Sequence, residues 1–125
     1  MTDINAVTII GTLCRDIDVR YTLQGAAIGN LAIAVNRDVK KGNEWVKEAD
    51  FFDVKVFGKT AENLKQFLTK GKRIGLEGYL RQERWEKDGQ KMSKVVINTI
   101  NLQLLSPKEQ SNNAGGYSED YGYGN

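Results

Sequence analysis

Alternation governs most of this chain. Val7, Ile9, Gly11 and Leu13 take turns with Thr8, Ile10 and Thr12. Leu31, Ile33 and Val35 do so with Ala32, Ala34 and Asn36; Phe52, Val54 and Val56 with Phe51, Asp53, Lys55 and Phe57; Ile74, Leu76, Gly78 and Leu80 with Gly75, Glu77, Tyr79 and Arg81. A period of two sends successive side chains to opposite faces, so each run predicts a strand with one core-facing side. The last run is less regular. Val95 and Ile97 share one phase, and Ile100, Leu102 and Leu104 share the other. The change near Asn98-Thr99 predicts a bulge or sharp bend, as closed barrels need.

One segment changes period. KTAENLKQFLTKG sets Ala61, Leu64, Phe67 and Leu68 on one helical face, with Thr60 as N-terminal cap, Glu62 in the first turn and Lys70-Gly71 as the stop. Asp88-Gly89 is a strong hairpin signal, and Lys40-Lys41-Gly42-Asn43 joins the second and third strands as part of a longer loop, residues 38–48. The expected order is three strands, a short helix and two strands. That order describes an all-β five-stranded OB-fold barrel with one helix. The barrel is expected over residues 1–106. Beyond Pro107, the stretch KEQSNNAGGYSEDYGYGN has no Val, Ile, Leu, Met or Phe, so residues 107–125 are expected to form a disordered tail.

Composition excludes several chemistries. There is no histidine and a single cysteine, Cys14. A Ser-His-Asp triad, a Cys-His pair, a Cys/His zinc cluster and an internal disulfide are therefore ruled out. No run is long enough to span a bilayer and no charged-then-apolar leader opens the chain, which predicts a soluble, cytoplasmic protein. The net charge is +2, with the cationic excess before Pro107 and an acidic balance after it. That is a weak hint of a polyanionic partner.

The faces turned away from the core say more. Trp85 shares its phase with Tyr79, Arg81 and Glu83, opposite to Ile74, Leu76 and Leu80, and Arg84 is close by. Phe51, Lys55 and Phe57 likewise oppose Phe52, Val54 and Val56. Aromatic rings interleaved with cations suit a single-stranded nucleic acid, because bases stack on rings whatever their sequence and cations meet phosphates. An outward ring can equally pack on a neighbouring subunit or under a loop. Trp45, in the loop with Lys40, Lys41 and Lys47, is equally suited to a ligand contact or to covering the barrel edge, and Lys70, Lys72 and Arg73 are equally consistent with a solvated turn. Phe57-Gly58-Lys59-Thr60 ends like a phosphate-binding loop, but Asp53 stands where the first glycine is required. Glu83 and Glu86 lie near Trp85, with nothing in the sequence to make them a catalytic pair. No catalytic, cofactor or metal site is expected.

The stretches NAVTIIGTLCRDIDVRYT, GNLAIAVNR, ADFFDVKVFGKTAENLKQFLTKG and IGLEGYLRQERWEKDGQK, in this order, resemble the bacterial-type single-stranded DNA-binding protein family, also found in mitochondria. The resemblance covers residues 4–105. It implies an OB-fold homotetramer that wraps single-stranded DNA with little sequence preference during replication, recombination and repair, and so a nucleoid-associated protein. It implies base stacking at Phe51, Phe57 and Trp85, and cations of Arg20, Lys59 and Lys70 along the DNA path. A further stacking tryptophan of the family aligns with Val39, and Trp45 is a candidate replacement. Family members usually close on an acidic tip ending Asp-Ile-Pro-Phe, which recruits other genome-maintenance proteins. This chain closes Tyr-Gly-Tyr-Gly-Asn with Glu119-Asp120 as the acidic pair there, so such recruitment has no support in these residues. An OB-fold RNA binder, a replication-restart relative and a purely structural interaction domain are the alternatives.

Overall fold

The computed structural model describes residues 1–105. Six strands and one helix follow in the order β1 (Val7–Leu13), β2 (Asp18–Tyr21), β3 (Ala27–Lys41), β4 (Glu44–Phe57), α1 (Gly58–Leu64), β5 (Arg73–Lys87) and β6 (Gln90–Leu104). β1 pairs antiparallel with β5 along most of its length and with β3 at Thr12–Ala34 and Leu13–Ile33. A short parallel contact, Val54–Ile97 and Lys55–Asn98, joins β4 to β6. The ring β1-β5-β6-β4-β3 is thereby closed. The expected five-stranded barrel is present. β2 is an addition. It pairs with the same edge of β3 as β1 does, from Asp18–Asn30 to Tyr21–Ala27, after a break at residues 14–17. Only four residues long and half charged, it offers no apolar period to detect.

The inward phases supply the core. Leu13, Leu31, Ile33, Val54, Val56, Ile74, Leu76 and Ile97 are buried together, with Ala61 of α1 and Leu68 beyond it. Phe52 and Leu80 keep the inward phase but stay exposed. They lie just outside the closed part, since β4–β6 pairing starts at Val54 and β1–β5 pairing ends at Gly78.

The predicted bulge lies in β6. Glu77 pairs with Asn101 but Gly78 with Thr99, which leaves Ile100 as the extra, exposed residue. The slip brings Leu102 opposite Leu76 while Ile97 stays opposite Leu80, so both turn inward. Val95 does not join Ile97 in the core; the neighbour Val96 is buried instead, on the other face opposite Arg81. The Asp88-Gly89 turn is as expected: both residues have positive φ, 52° and 78°, and Lys87 pairs with Gln90 across it.

Two expectations need correction. Residues 38–48 are not a loop. β3 and β4 pair without interruption from Ile28–Phe57 to Lys41–Glu44, and Gly42-Asn43 is a two-residue turn. The outer part of this hairpin is polar on both faces, so no apolar alternation announces it. The helix is also shorter and differently capped. It runs straight on from β4, Phe57 occupies the cap position with no side-chain hydrogen bond, and Thr60 lies inside it. Glu62 is not in its first turn. The N–H groups of Phe67 and Leu68 both donate to the Leu64 carbonyl, at 2.8 and 3.0 Å, and close the end. Leu68 is buried but Phe67 is exposed, so the apolar stripe overstates the helix.

Candidate nucleic-acid interface

Paired residues in neighbouring strands share a face, so the register assembles the outward surface. Arg20 of β2 stands opposite Ile28, which stands opposite Phe57. The next row runs Asp18, Asn30, Lys55, Asn98 and Tyr79 across β2, β3, β4, β6 and β5. Arg81 pairs with Val96, Glu83 with Lys94 and Trp85 with Met92 as β5 and β6 run out into their hairpin. One outward face thus carries Arg20, Phe51, Lys55, Phe57, Tyr79, Arg81 and Trp85. Phe51 is 70 % exposed, and Phe57 and Trp85 are each 42 % exposed. A shallow groove of about 430 Å³ at the β5–β6 hairpin is lined by Trp85 and Met92 together with Arg84, Glu86, Lys91 and Ser93 of the opposite phase.

The remaining candidates divide. Trp45 sits on β4 opposite Lys40, an even number of residues from Phe51, so it joins the same strand face and is 70 % exposed. Lys59 lies in the first turn of α1, two residues after Phe57. Arg84 belongs to the opposite phase from Trp85; it pairs with Ser93 and donates from Nη2 to Gln82 Oε1 at 2.6 Å. Lys70 is off the sheet. It follows the helix, and its backbone N–H donates to Asp16 Oδ1 at 2.8 Å at the break between β1 and β2. Val39 faces Val46 on the side of the hairpin away from Trp45.

The face is cationic and also internally neutralised. Lys55 Nζ is 2.5 Å from Glu83 Oε2, Lys94 Nζ is 3.7 Å from Asp53 Oδ2, and Arg20 Nε is 3.0 Å from Asp18 Oδ2. Among the described residues, Arg81 and Lys59 make no ion pair. The phase reading missed Lys94, Met92 and Asn98 because β6 lacks a clean alternation. Counting outward from the Asp88-Gly89 turn would have found the first two, since Lys87–Gln90 pairing puts Met92 at Trp85 and Lys94 at Glu83.

The sequence model described as Single-strand binding protein family matches residues 4–105. A single-stranded DNA-binding protein of Treponema pallidum is 46% identical over 105 residues, 84% of this chain and 60% of the relative. One from Borreliella burgdorferi is 42% identical over 108 residues, 85% of this chain and 72% of the relative. This chain therefore spans well under the full length of both. Among solved structures, a deletion mutant of the single-stranded DNA binding protein from Thermus aquaticus superposes with a TM-score of 0.73 at 34% identity, over 82% of this chain and 51% of that one. A Plasmodium falciparum SSB complex with ssDNA shares the fold, with a TM-score of 0.77 at 20% identity over 85% and 98% of the two chains. With nearly all the described residues inside the match, this chain belongs to the single-strand binding protein family.

Proposed function

We propose that this protein binds single-stranded DNA without catalysis and with little sequence preference, as a coat for DNA exposed in replication, recombination and repair. One observation carries the reading: a single outward face, continuous from β2 to β5, sets Phe51, Phe57 and Trp85 among cations. Bases stack on the three rings, with Tyr79 beside them. Arg81 and Lys59 take phosphates directly, and Arg20 and Lys55 do so by exchanging their carboxylates for phosphate. Arg84 and Lys70, off that face, extend the path at its ends. The functional unit is a homotetramer of the domain expected over residues 1–106, found where the nucleoid is; the expected tail spans residues 107–125. That tail lies outside the described residues.

A fluorescence titration with poly-dT across salt concentrations tests the reading. Stacked indole is quenched, and affinity falls linearly on a log-log salt plot by ~0.7 per phosphate neutralised. Equal affinity for duplex DNA would overturn it, and tighter binding to single-stranded RNA would reassign the ligand.

A further inference from the structure

Beyond the barrel, the β3–β4 hairpin has two faces of different chemistry. Pairing is continuous to the Lys41–Glu44 pair, so parity alone sorts the side chains. One face is an ion-pair cluster. Arg37 Nε donates to Asp50 Oδ2 at 2.9 Å, and its Nη2 lies 3.1 Å from Glu48 Oε1 and 3.5 Å from Asp50 Oδ1. Lys41 Nζ adds a contact of 3.0 Å to Glu48 Oε2. The hydrogen bond to Asp50 is the chief reason the Arg37 pKa is raised above its usual value. The other face carries Trp45 opposite Lys40, then a single ion pair, Lys47 Nζ to Asp38 Oδ1 at 3.2 Å, and then Phe51.

Trp45, Phe51 and Phe57 stand at equal intervals on β4, always an even number of residues apart. At ~3.4 Å per residue each step is roughly 20 Å along the strand. The three rings make one row, and Trp45 is its outermost member. Burial cannot hold that end, because Trp45 is 70 % exposed and a two-stranded hairpin is marginal on its own. A single exposed ion pair would add little, but a forked guanidinium shared by two carboxylates, one of which also holds a lysine, is a network.

We propose that Trp45 is a third stacking platform for single-stranded DNA on β4, and that Arg37 is a positioning residue that braces it from the opposite face of the hairpin. The proposal rests on the single-stranded DNA reading above.

The test uses the full chain. It has two tryptophans, so Trp85→Phe keeps a stacking ring and leaves Trp45 as the sole indole. This variant is titrated with poly-dT while Trp45 emission is followed, and with a dye-labelled dT strand whose anisotropy reports binding. Trp45 emission falls in step with the anisotropy rise. In the otherwise unchanged chain, Trp45→Ala weakens binding to a long dT strand by on the order of tenfold. Arg37→Gln weakens it several-fold, but adds nothing when Trp45 is already alanine. Arg37→Lys, which keeps the charge without the fork, recovers part of the loss. A rise in anisotropy with no quenching overturns the proposal and leaves DNA binding intact, whereas no rise in this variant and in the unsubstituted chain alike overturns the DNA reading itself. Additive losses in the double variant overturn the role of Arg37. A lower assembly mass for Trp45→Ala with unchanged affinity per subunit assigns the ring to a subunit contact and overturns the platform.

Discussion

Lys55 cannot meet a phosphate without leaving Glu83. Its ammonium sits 2.5 Å from that carboxylate, and both side chains are largely covered. In the proposed binding mode the acid therefore competes with DNA for the cation. Glu83→Gln removes the competing charge while keeping the side chain's size. It is expected to raise affinity for poly-dT a few-fold and to steepen the log-log salt plot by ~0.7, the contribution of one further phosphate neutralised on a single strand. Lys59, which makes no ion pair among the described residues, is expected to respond in the opposite sense: Lys59→Ala makes the slope shallower. Phe57→Ala lowers affinity at every salt concentration and leaves the slope nearly unchanged, because a phenyl ring releases no counterion. Binding isotherms at four or five salt concentrations separate the three. An unchanged slope for Glu83→Gln would mean that Lys55 stays out of the DNA path.

At the level of elements, the bulge in β6 decides which residues face the core, and Gly78 is what permits it. A Cβ on Gly78 would stand 2.1 Å from the backbone oxygen of Asn98, which cannot move without breaking the ladder. Gly75, three residues earlier in the same strand, is a natural control. A Cβ there would meet the side-chain tips of Leu105 at 3.3 Å and Ile10 at 3.7 Å, atoms free to shift. Gly78→Ala is expected to cost about 2–3 kcal/mol in urea denaturation, the upper part of the range for overpacked cores, and Gly75→Ala well under that. Equal costs would show that the close approach at Asn98 is not what holds the register.

For the whole molecule, the question is what covers its exposed apolar surface. Ile10, Ile100 and Leu105 are all exposed, and Ile10 and Leu105 converge over Gly75 on the outer side of β1 and β5. Among the described residues β1 pairs with β3 only at Thr12 and Leu13, so its edge before that point has no strand neighbour there. A bare edge beside an apolar patch favours association with a like surface. The proposed homotetramer predicts four chain masses by light scattering at micromolar concentration. Ile10→Lys should lower that mass while the chain stays folded. A monomer in the unsubstituted protein would refute the assembly.

The barrel was legible in the sequence because four of its five strands, β6 excepted, have one wet face and one dry face within the barrel. That condition writes a period of two into residues 7–13, 31–35, 52–56 and 74–80, and Asp88-Gly89 marks a turn that needs positive φ twice. The outward phase of Phe51, Phe57 and Trp85 follows from the same alternation. The outer β3–β4 hairpin was not legible, because both its faces are wet and its order comes from cross-strand ion pairs that no local pattern displays. The helix was overstated because Leu68 is buried by tertiary packing after α1 has ended, so its apolar character mimics another helical turn. The sequence by itself determined that Phe51, Phe57, Trp85, Lys55 and Arg81 point outward. Only the tertiary structure decided which cations are already taken, because Lys55 and Glu83 lie on separate strands and meet only once β6 is seated between them.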